Sequence, residues 1–357
     1  LQQYSISKQT PTPENPFPGI TIQRSNIKNS ELTWETTTQT NVGLDLTLFN
    51  GRLVFNADYY YKYTKDMLMN VPLPSTAAVS SILRNEGEMS NRGFELNVSS
   101  INLNSELFWS TDFNISFNKN RLEKLALNKV YYFGNVETLR DNILRLEEGE
   151  PLGRFYGLKY SHVDPQTGDP VYEDVDGNGQ ITLDDRTYIG DANPKFIYGM
   201  TNTFSYKGFN LNLFLQGSYG NDIFNASRAD TEGMYDDKNQ SIRVLDRWKT
   251  PGQITDVPRA TGDQSTLKVS SYYIEDGSYL RLKSLTFSYD VATAGLKRIG
   301  IERVQPYFTA HNLLTFTKYK GFDPELNFAG NSSTVQGVDW GTYPNVKTFV
   351  FGLNIDF

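Results

Sequence analysis

The sequence has 357 residues, no cysteine and a formal net charge of −7. This excludes disulfides and thiolate metal sites, and it argues against nucleic-acid binding, which needs a basic surface. Hydrophobic residues make up 38% of the chain but nowhere form the run of ~20 apolar residues that a membrane-spanning helix requires, so a helical membrane protein is excluded. A sheet that exposes only alternate residues to lipid is compatible with this composition, because its other residues face water.

Residues 1–30 are rich in Pro, Gln, Ser and Asn and show no periodicity, which predicts a loop. Residues 31–63 then alternate in hydropathy on both sides of Asn50-Gly51, a dipeptide typical of hairpin turns. The two strands of this hairpin therefore share an apolar face, and polar residues occupy the other face. The predicted apolar face consists of Val42, Leu44, Leu46, Leu48, Leu53, Phe55, Ala57, Tyr59, Tyr61 and Tyr63.

Three more hairpins and a final strand repeat this scheme. Short turns are predicted near residues 102–105 and at Lys207-Gly208, and the fourth hairpin returns in a strand that runs roughly from Arg303 to Thr315; a bulge is expected near Lys283-Ser284. Long segments separate the hairpins: 64–91, 119–194, 220–278 and 317–345. The first of these carries Val71-Pro-Leu-Pro74, which predicts that it is not regular strand. The final strand places Phe349, Phe351, Leu353, Ile355 and Phe357 on one face.

Nine strands in a rhythm of short turn and long loop predict part of an antiparallel transmembrane β-barrel, with periplasmic turns and extracellular loops. A soluble β-sandwich or solenoid is the alternative, but excursions of ~60–75 residues between sequential strands are hard to fit into either. If Phe357 ends in the periplasm, the first strand also runs downward and residues 1–30 are extracellular. Since bacterial barrels have even strand numbers, we expect the chain to begin in the middle of a barrel.

Several strings in the chain resemble the SusC/RagA family of TonB-linked outer-membrane proteins of Bacteroidetes. The resemblance is collinear and runs from about residue 30 to Phe357. The strings are Glu31-Leu-Thr-Trp-Glu35, Gly43-Leu-Asp45, Asp58-Tyr-Tyr-Tyr61, Asp66, Val71-Pro-Leu-Pro74, Asn91-Arg-Gly-Phe-Glu95, Phe113-Asn-Ile-Ser-Phe-Asn-Lys-Asn120, Gly149-Glu-Pro151, Phe155-Tyr-Gly157, Asn312-Leu-Leu-Thr-Phe-Thr-Lys-Tyr319 and Gly321-Phe-Asp-Pro324.

The resemblance implies an all-β fold in which residues 31–357 are the C-terminal nine strands of a 22-stranded barrel with an N-terminal plug. It implies import of large nutrients, glycans or oligopeptides, across the outer membrane of a Gram-negative cell. The implied partners are a SusD-like surface lipoprotein, TonB acting through the missing N-terminal part, and outer-membrane lipid; nucleic acid is already disfavoured by the net charge of −7. Neither the substrate nor its ligand residues are readable from the strings.

One stretch fits the twelve-residue spacing of a calcium-binding loop. Side chains with oxygen ligands occupy positions 1, 3 and 5 of the loop, and Gly179 at position 6 allows the sharp turn. The loop ends at position 12 with an aspartate, where the longer glutamate is usual. The candidate ligands are Asp174, Asp176, Asn178, Gln180 through its backbone carbonyl, and Asp185. A metal-free turn rich in Gly, Asn and Asp is the alternative.

Two other functions compete with import. A cell-surface, calcium-stabilised β-rich binding or adhesion protein is the chief alternative. An extracellular glycan-processing enzyme is disfavoured, because His162 and His311 lack ligand-type neighbours and no acid–base pair stands out. Aromatic loop residues are predicted to pack among themselves, although stacking on sugar rings is the other option: Tyr131, Tyr132, Tyr156, Tyr235 and Trp340. Binding inside a barrel would use polar strand residues: Asp112, Asn114, Asn210, Asn212 and Gln216.

Overall fold

The computed structural model describes residues 4–8, 20–24, 29–73, 76–77, 79, 81–291, 295, 300–332 and 334–357. In chain order the strands are β1 (Tyr4–Lys8), β2 (Ile20–Arg24), β3 (Thr36–Leu48), β4 (Leu53–Pro72), β5 (Ser81–Asn104), β6 (Leu107–Lys124), β7 (Tyr131–Val136), β8 (Asp141–Leu146), β9 (Arg154–Gly157), β10 (Tyr160–Val163), β11 (Pro170–Tyr172), β12 (Thr187–Asp191), β13 (Phe196–Tyr206), β14 (Phe209–Tyr219), β15 (Asp222–Asn225), β16 (Ile274–Asp276), β17 (Tyr279–Tyr289), β18 (Arg303–Thr317), β19 (Val338–Asp339) and β20 (Thr348–Asp356). Helix α1 is Ser227–Glu232, and short 3-10 helices occupy Ala126–Asn128, Leu183–Asp185, Ile242–Asp246, Gln264–Thr266 and Ser271–Tyr273. The described part of the chain contains no helix that is both long enough and apolar enough to cross a membrane.

Nine strands form one sheet, which we call the wall. Its order is β3-β4-β5-β6-β13-β14-β17-β18-β20, so each strand lies beside the next wall strand along the chain. Every neighbouring pair is antiparallel, and β3 and β20 are the two edges. The nine predicted strands and their sequential pairing are therefore confirmed.

Local chemistry accounts for the turn and the bulge that the sequence predicts. Phe49, Asn50 and Gly51 link β3 to β4 with positive φ angles of 54°, 56° and 83°, a conformation that Asn and Gly adopt more readily than other residues. The pairing of β17 with both of its neighbours shifts at Lys283. One extra residue there moves the apolar phase from Leu282 to Leu285, which confirms the predicted bulge.

The prediction that residues 64–91 leave the sheet is wrong. β4 and β5 stay paired as far as Pro72 and Ser81, and the pair is interrupted only by a bulge near Asp66, whose φ is 58°. Pro72 lies beyond Lys65, the last β4 residue that pairs with β3, so β4 is an edge strand there and tolerates a proline; Pro74 lies outside the described residues. At about 3.3 Å per residue, a strand of 20 residues is roughly twice as long as a membrane crossing needs.

Three of the long segments between the hairpins fold together. Residues 125–195, 220–278 and 318–347 contribute a four-stranded sheet (β12-β9-β8-β7) and a three-stranded sheet (β16-β15-β19). Phe155, Phe224 and Val338 come from the three segments and are each 0% exposed in one apolar core. The rings of Phe155 and Phe224 lie 5.9 Å apart. We call these three segments the loop cap.

The predicted loop at residues 1–30 contains two short strands. β1 and β2 pair antiparallel in a sheet of their own. Residues 1–3, 9–19 and 25–28 lie outside the described residues, so the extracellular position of this segment stays a prediction.

Candidate functional site on the polar face of the wall

Strand register divides the wall into two chemically distinct faces. One row of side chains across eight strands is entirely apolar: Leu46, Phe55, Val98, Phe113, Met200, Leu215, Leu282 and Leu314. The neighbouring row on the opposite face is polar apart from one glycine: Asp45, Asn56, Asn97, Asn114, Gly199, Gln216, Arg281 and Thr315. In a strand these two rows point in opposite directions.

The apolar face is exposed, not buried in protein. Phe351 and Phe357 are 79% and 82% exposed, and Phe349, Leu353 and Ile355 on the same strand are exposed as well. Large apolar side chains are also exposed on β3, including Val42 and Leu44. The dry core of the chain lies in the loop cap, so the wall needs an apolar environment outside itself.

The polar face holds a network of amides, hydroxyls and carboxylates. Asn41 donates to Asp58 at 3.2 Å, and the Tyr60 hydroxyl donates to Asn118 at 3.0 Å. A cavity of about 530 Å³ opens beside them. It is lined by Gln39, Asn41, Asp58, Tyr60, Lys62, Asn91, Glu95 and Asn118. Such a surface stays wet and offers many hydrogen-bond partners to a solute.

The polar strand residues that the sequence singled out all lie on this face. Asn212 donates to Thr203 at 3.0 Å, Asn210 donates to Asp290 at 2.9 Å, and Gln216 donates to Glu325 at 3.4 Å. Asn114 and Asp112 pair with Asn97 and Ser99 across the strands. These groups are partly satisfied by one another, which orients them without removing their remaining hydrogen-bonding capacity.

A buried ion cluster joins the loop cap to the wall, and sequence reasoning missed it. Arg281 is only 2% exposed. It donates to Asp323 at 2.6 Å, to Glu325 and to the Thr315 hydroxyl at 2.9 Å. Lys283 also contacts Glu325 at 3.0 Å. Two sequence features could have indicated this cluster. One is an arginine between Leu280 and Leu282, at a strand position that faces the polar side, and the other is the string Gly321-Phe-Asp-Pro324.

Electrostatics favour the ionised form of Asp323. Burial opposes its ionisation, but the hydrogen bonds from Arg281 and from the backbone N–H of Glu325 outweigh burial, and the pKa of Asp323 is lowered. The other oxygen of Asp323 accepts the backbone N–H of Asn345 at 3.1 Å. The Asp323 carboxylate therefore links Arg281 on β17 to residues near both ends of the last cap segment, 318–347.

The cap has a second buried arginine. Arg228 on α1 donates to Glu232 Oε1 at 3.1 Å, to Glu232 Oε2 at 2.9 Å and to the Tyr272 carbonyl at 2.8 Å. Its guanidinium lies 4.7 Å from the centre of the Tyr272 ring. Paired and stacked in this way, the arginine has a structural role in the cap.

Two of the five aromatic loop residues pack on each other, as predicted, and the other three form hydrogen bonds within the cap. Tyr132 and Tyr156 lie 6.1 Å apart, and Arg145 covers Tyr156 at 4.5 Å. Trp340 donates to Asp230 at 2.7 Å, and Tyr235 donates to the same carboxylate. Tyr131 donates to the Ala126 carbonyl at 2.7 Å.

The predicted calcium loop brings three carboxylates together. Ligand oxygens of Asp174, Asp176 and Asp185 all lie within 4.8 Å of one another. Asp174 accepts the backbone N–H groups of Gly177 and Gly179, each at 2.7 Å. Asn178 lies in the same turn, where its side-chain oxygen accepts the N–H of Gln180 at 2.7 Å.

Asp185, the last predicted ligand, is fully buried. Its pKa is lowered by the backbone N–H of Thr182 above all, and then by the N–H groups of Val175 and Asp176. Within the described ranges, no other group of three His, Cys, Asp or Glu side chains is close enough to share an ion. The two histidines, His162 and His311, belong to β10 and β18 and do not meet.

The family profile described as "TonB dependent receptor-like, beta-barrel" matches residues 3–219. The chain is 38% identical to TonB-dependent receptor P3 of Formosa agariphila, over 93% of this chain and 35% of that protein. It is 28% identical to TonB-dependent receptor SusC of Bacteroides thetaiotaomicron, over 94% of this chain and 33% of that protein. The chain therefore spans about a third of the length of these relatives.

Among solved structures, the chain is similar to one described as the RagAB peptide transporter. The two superpose with a TM-score of 0.82 at 28% identity, over 99% of this chain and 38% of the other. The same importer in its closed-closed state gives a TM-score of 0.80. The resemblance to SusC and RagA is thereby confirmed, and such receptors are outer-membrane β-barrel proteins. With a two-faced wall of nine strands and a profile match over more than half of its residues, the chain belongs to the TonB-dependent receptor β-barrel family.

Proposed function

We propose that the whole protein imports large nutrients across the outer membrane in a TonB-dependent manner, as the barrel of a complex with a SusD-like surface lipoprotein. The observation that carries the proposal is the pair of rows across the wall, one apolar and one polar. The apolar row suits lipid, and the polar row suits a water-filled path for a hydrophilic solute. The loop cap covers the end of the wall at which that path opens.

The substrate is proposed to be an oligopeptide or an oligosaccharide. Amides and carboxylates beside Tyr60 and Lys62 supply donors and acceptors that either class uses. The similar RagAB structures are described as a peptide transporter, which favours peptides. Transport requires no bond to be made or broken, and we propose that the polar face binds its solute without catalysing a reaction.

Blocking the path tests this function directly. In the full-length protein, single cysteines at Asn97 and at Val98 place a thiol on opposite faces of β5, one residue apart. A bulky, water-soluble maleimide is expected to react with the cysteine at position 97 and to stop growth on the imported nutrient. The variant at position 98 is the matched control and is expected to stay unlabelled and active. Equal labelling of both positions, or uptake unaffected by label at position 97, contradicts the proposal.

Growth tests on defined nutrients separate the two substrate classes. A strain that lacks the protein is expected to lose growth when either a peptide mixture or a glycan mixture is its only nutrient source. Growth on the corresponding amino acids or monosaccharides is expected to be unchanged. Loss on neither polymer rules out import of both classes.

We also propose that the loop of residues 174–185 binds Ca²⁺. Support comes from the twelve-residue spacing and from three carboxylates whose oxygens lie within 4.8 Å of one another. Calorimetry on the full-length protein is expected to show calcium heats that disappear in Asp174→Ala. Asp184→Asn is the control, because this exposed carboxylate is outside the cluster. Calcium heats that are equal in wild type and Asp174→Ala, or absent from both, contradict calcium binding by this loop.

A further inference from the structure

A row of cations lies on the apolar face of the wall, just above a row of aromatic rings. Across β4, β5 and β6, Tyr59, Phe94 and Phe117 are direct neighbours. The next row on the same face, two residues nearer the loops, contains Tyr61, Arg92 and Lys119. Side chains two apart share a face, and the rows are separated by about 6.6 Å at 3.3 Å per residue.

The aromatic row continues along the wall and marks a depth in the membrane. The Phe117 and Phe196 rings lie 5.6 Å apart, and Phe196 stacks on Tyr219 at 5.1 Å. Aromatic residues form such belts where hydrocarbon meets the headgroups. The cationic row and the loop cap lie on the same side of the aromatic row. The cationic row is therefore at the depth of the outer-leaflet headgroups.

The two central cations have no protein partner. Neither Arg92 nor Lys119 makes a hydrogen bond or ion pair with any residue that the structure describes, and both side chains are exposed. Arg121, one row further up, donates to the Gly149 carbonyl at 3.2 Å and is 3.9 Å from Glu123. Glu123 in turn accepts the Ser90 hydroxyl at 2.5 Å.

These residues line an open pocket of about 780 Å³, which also takes in Lys195 and Pro151. The cavity on the opposite face of the same strands is different, because there Lys62 is accompanied by Asp58 and Glu95. The pocket holds four cations, Arg92, Lys119, Arg121 and Lys195, against two carboxylates, Glu123 and Asp191, so its net charge is positive, whereas that of the cavity on the opposite face is not. Exposed lysine and arginine at a membrane surface attract anionic headgroups, and the planar guanidinium of Arg92 suits two phosphate oxygens at once.

We propose that this pocket holds the phosphate of an anionic lipid of the outer leaflet, with Arg92 and Lys119 as its main ligands and Tyr61 against the sugar or glycerol of the headgroup. The ring row below, formed by Tyr59, Phe94 and Phe117, contacts the first part of the acyl chains. The bound lipid seals the wall where the membrane meets the loop cap.

Binding of fluorescent lipid A to the full-length protein in neutral detergent tests the proposal. Replacing both cations, as Arg92→Gln with Lys119→Gln, is expected to weaken binding by about thirtyfold, because each charge near the surface contributes roughly a fivefold factor. Lys62→Gln is the matched control, since this lysine lies one residue from Tyr61 on the opposite face, and it is expected to bind like wild type. Gel mobility before and after heating checks that each variant is folded.

Two further arms separate a lipid site from a general anion site. Enzymatically dephosphorylated lipid A is expected to bind wild type as weakly as the double variant binds lipid A. Inorganic phosphate at matched ionic strength is expected not to displace lipid A. Equal binding by the double variant and wild type, equal binding of the dephosphorylated lipid, or displacement by inorganic phosphate overturns the assignment.

Discussion

Replacing Arg281 with methionine tests whether the ion cluster fixes the last cap segment to the wall. The side chains of Arg281 and Asp323 are 3% and 4% exposed, and Glu325 is also largely buried. The methionine leaves two carboxylates in a buried site without their main partner. Breaking a buried pair in this way costs about 3–5 kcal/mol, which is far more than an exposed pair contributes.

The assay is limited proteolysis of the folded full-length protein by trypsin. Lys320 is exposed and lies in the segment that Asp323 and Glu325 hold down. If cleavage follows local opening, a loss of about 3–5 kcal/mol speeds it by roughly a hundredfold to a few thousandfold. Arg281→Lys keeps the charge but loses the forked geometry, so an intermediate rate is expected.

The control is Arg303→Met on the neighbouring strand. Arg303 pairs with Asp290 at 2.9 Å, but its side chain is 49% exposed, and an exposed pair contributes at most about 1 kcal/mol. Its cleavage rate at Lys320 is expected to match wild type. Equal rates in Arg281→Met and Arg303→Met refute the argument that burial makes this cluster an anchor.

Three other variants probe the cap. Phe155→Ala removes a fully buried ring and is expected to destabilise the cap by about 3–5 kcal/mol, measured by hydrogen exchange in β9; unchanged exchange contradicts the core assignment. Tyr319→Phe removes a hydroxyl that donates to buried Asp339 at 2.6 Å, so a loss of about 1–3 kcal/mol is expected in thermal unfolding, and an unchanged midpoint argues against that bond. Because the pKa of Asp185 is lowered in the fold, its ionised form stabilises the loop above the ordinary aspartate pKa, and this stabilisation is lost as pH falls through the lowered value. Hydrogen exchange of residues 174–185 is therefore expected to become faster below about pH 4, after correction for intrinsic rates. Asp185→Asn is expected to abolish this pH dependence; a variant with the wild-type pH profile contradicts the role of Asp185 in the loop.

Local periodicity was enough to predict the wall. Alternation in segments such as Val42 to Leu48 identifies a strand and its apolar face at once, because strand side chains repeat every two residues. Asn50-Gly51 predicted the first turn, and the change of phase between Leu282 and Leu285 predicted the bulge. Each of these signals lies within a few residues of the feature that it specifies.

The cap could not be predicted in this way. Phe224 and Val338 pair in parallel although a hundred or more residues separate them, and no local pattern reports such a contact. Arg281 finds its carboxylates 42 and 44 residues later. The prolines of Val71-Pro-Leu-Pro74 indicate a break in the strand, but Pro72 lies where β4 no longer pairs with β3, and an edge strand tolerates a proline.

The calcium loop is an intermediate case. Its twelve-residue spacing is local, and it predicted which carboxylates come together: Asp174, Asp176 and Asp185 do cluster. Much of that clustering is explained by backbone N–H groups that point at Asp174 and Asp185. Binding of the ion therefore stays a prediction that only the metal titration tests.

The central claim is that lipid touches one face of the wall and water the other. The 357 residues contain no cysteine, so in a membrane-embedded full-length protein whose other residues are also free of cysteine, single spin labels placed along β20 report each position without background. Oxygen, which concentrates in lipid, is predicted to relax labels at 349, 351, 353 and 355 most strongly, while a water-soluble nickel complex relaxes those at 350, 352 and 354. A profile without this two-residue alternation, or labels at 349–355 that neither reagent reaches, would contradict the account.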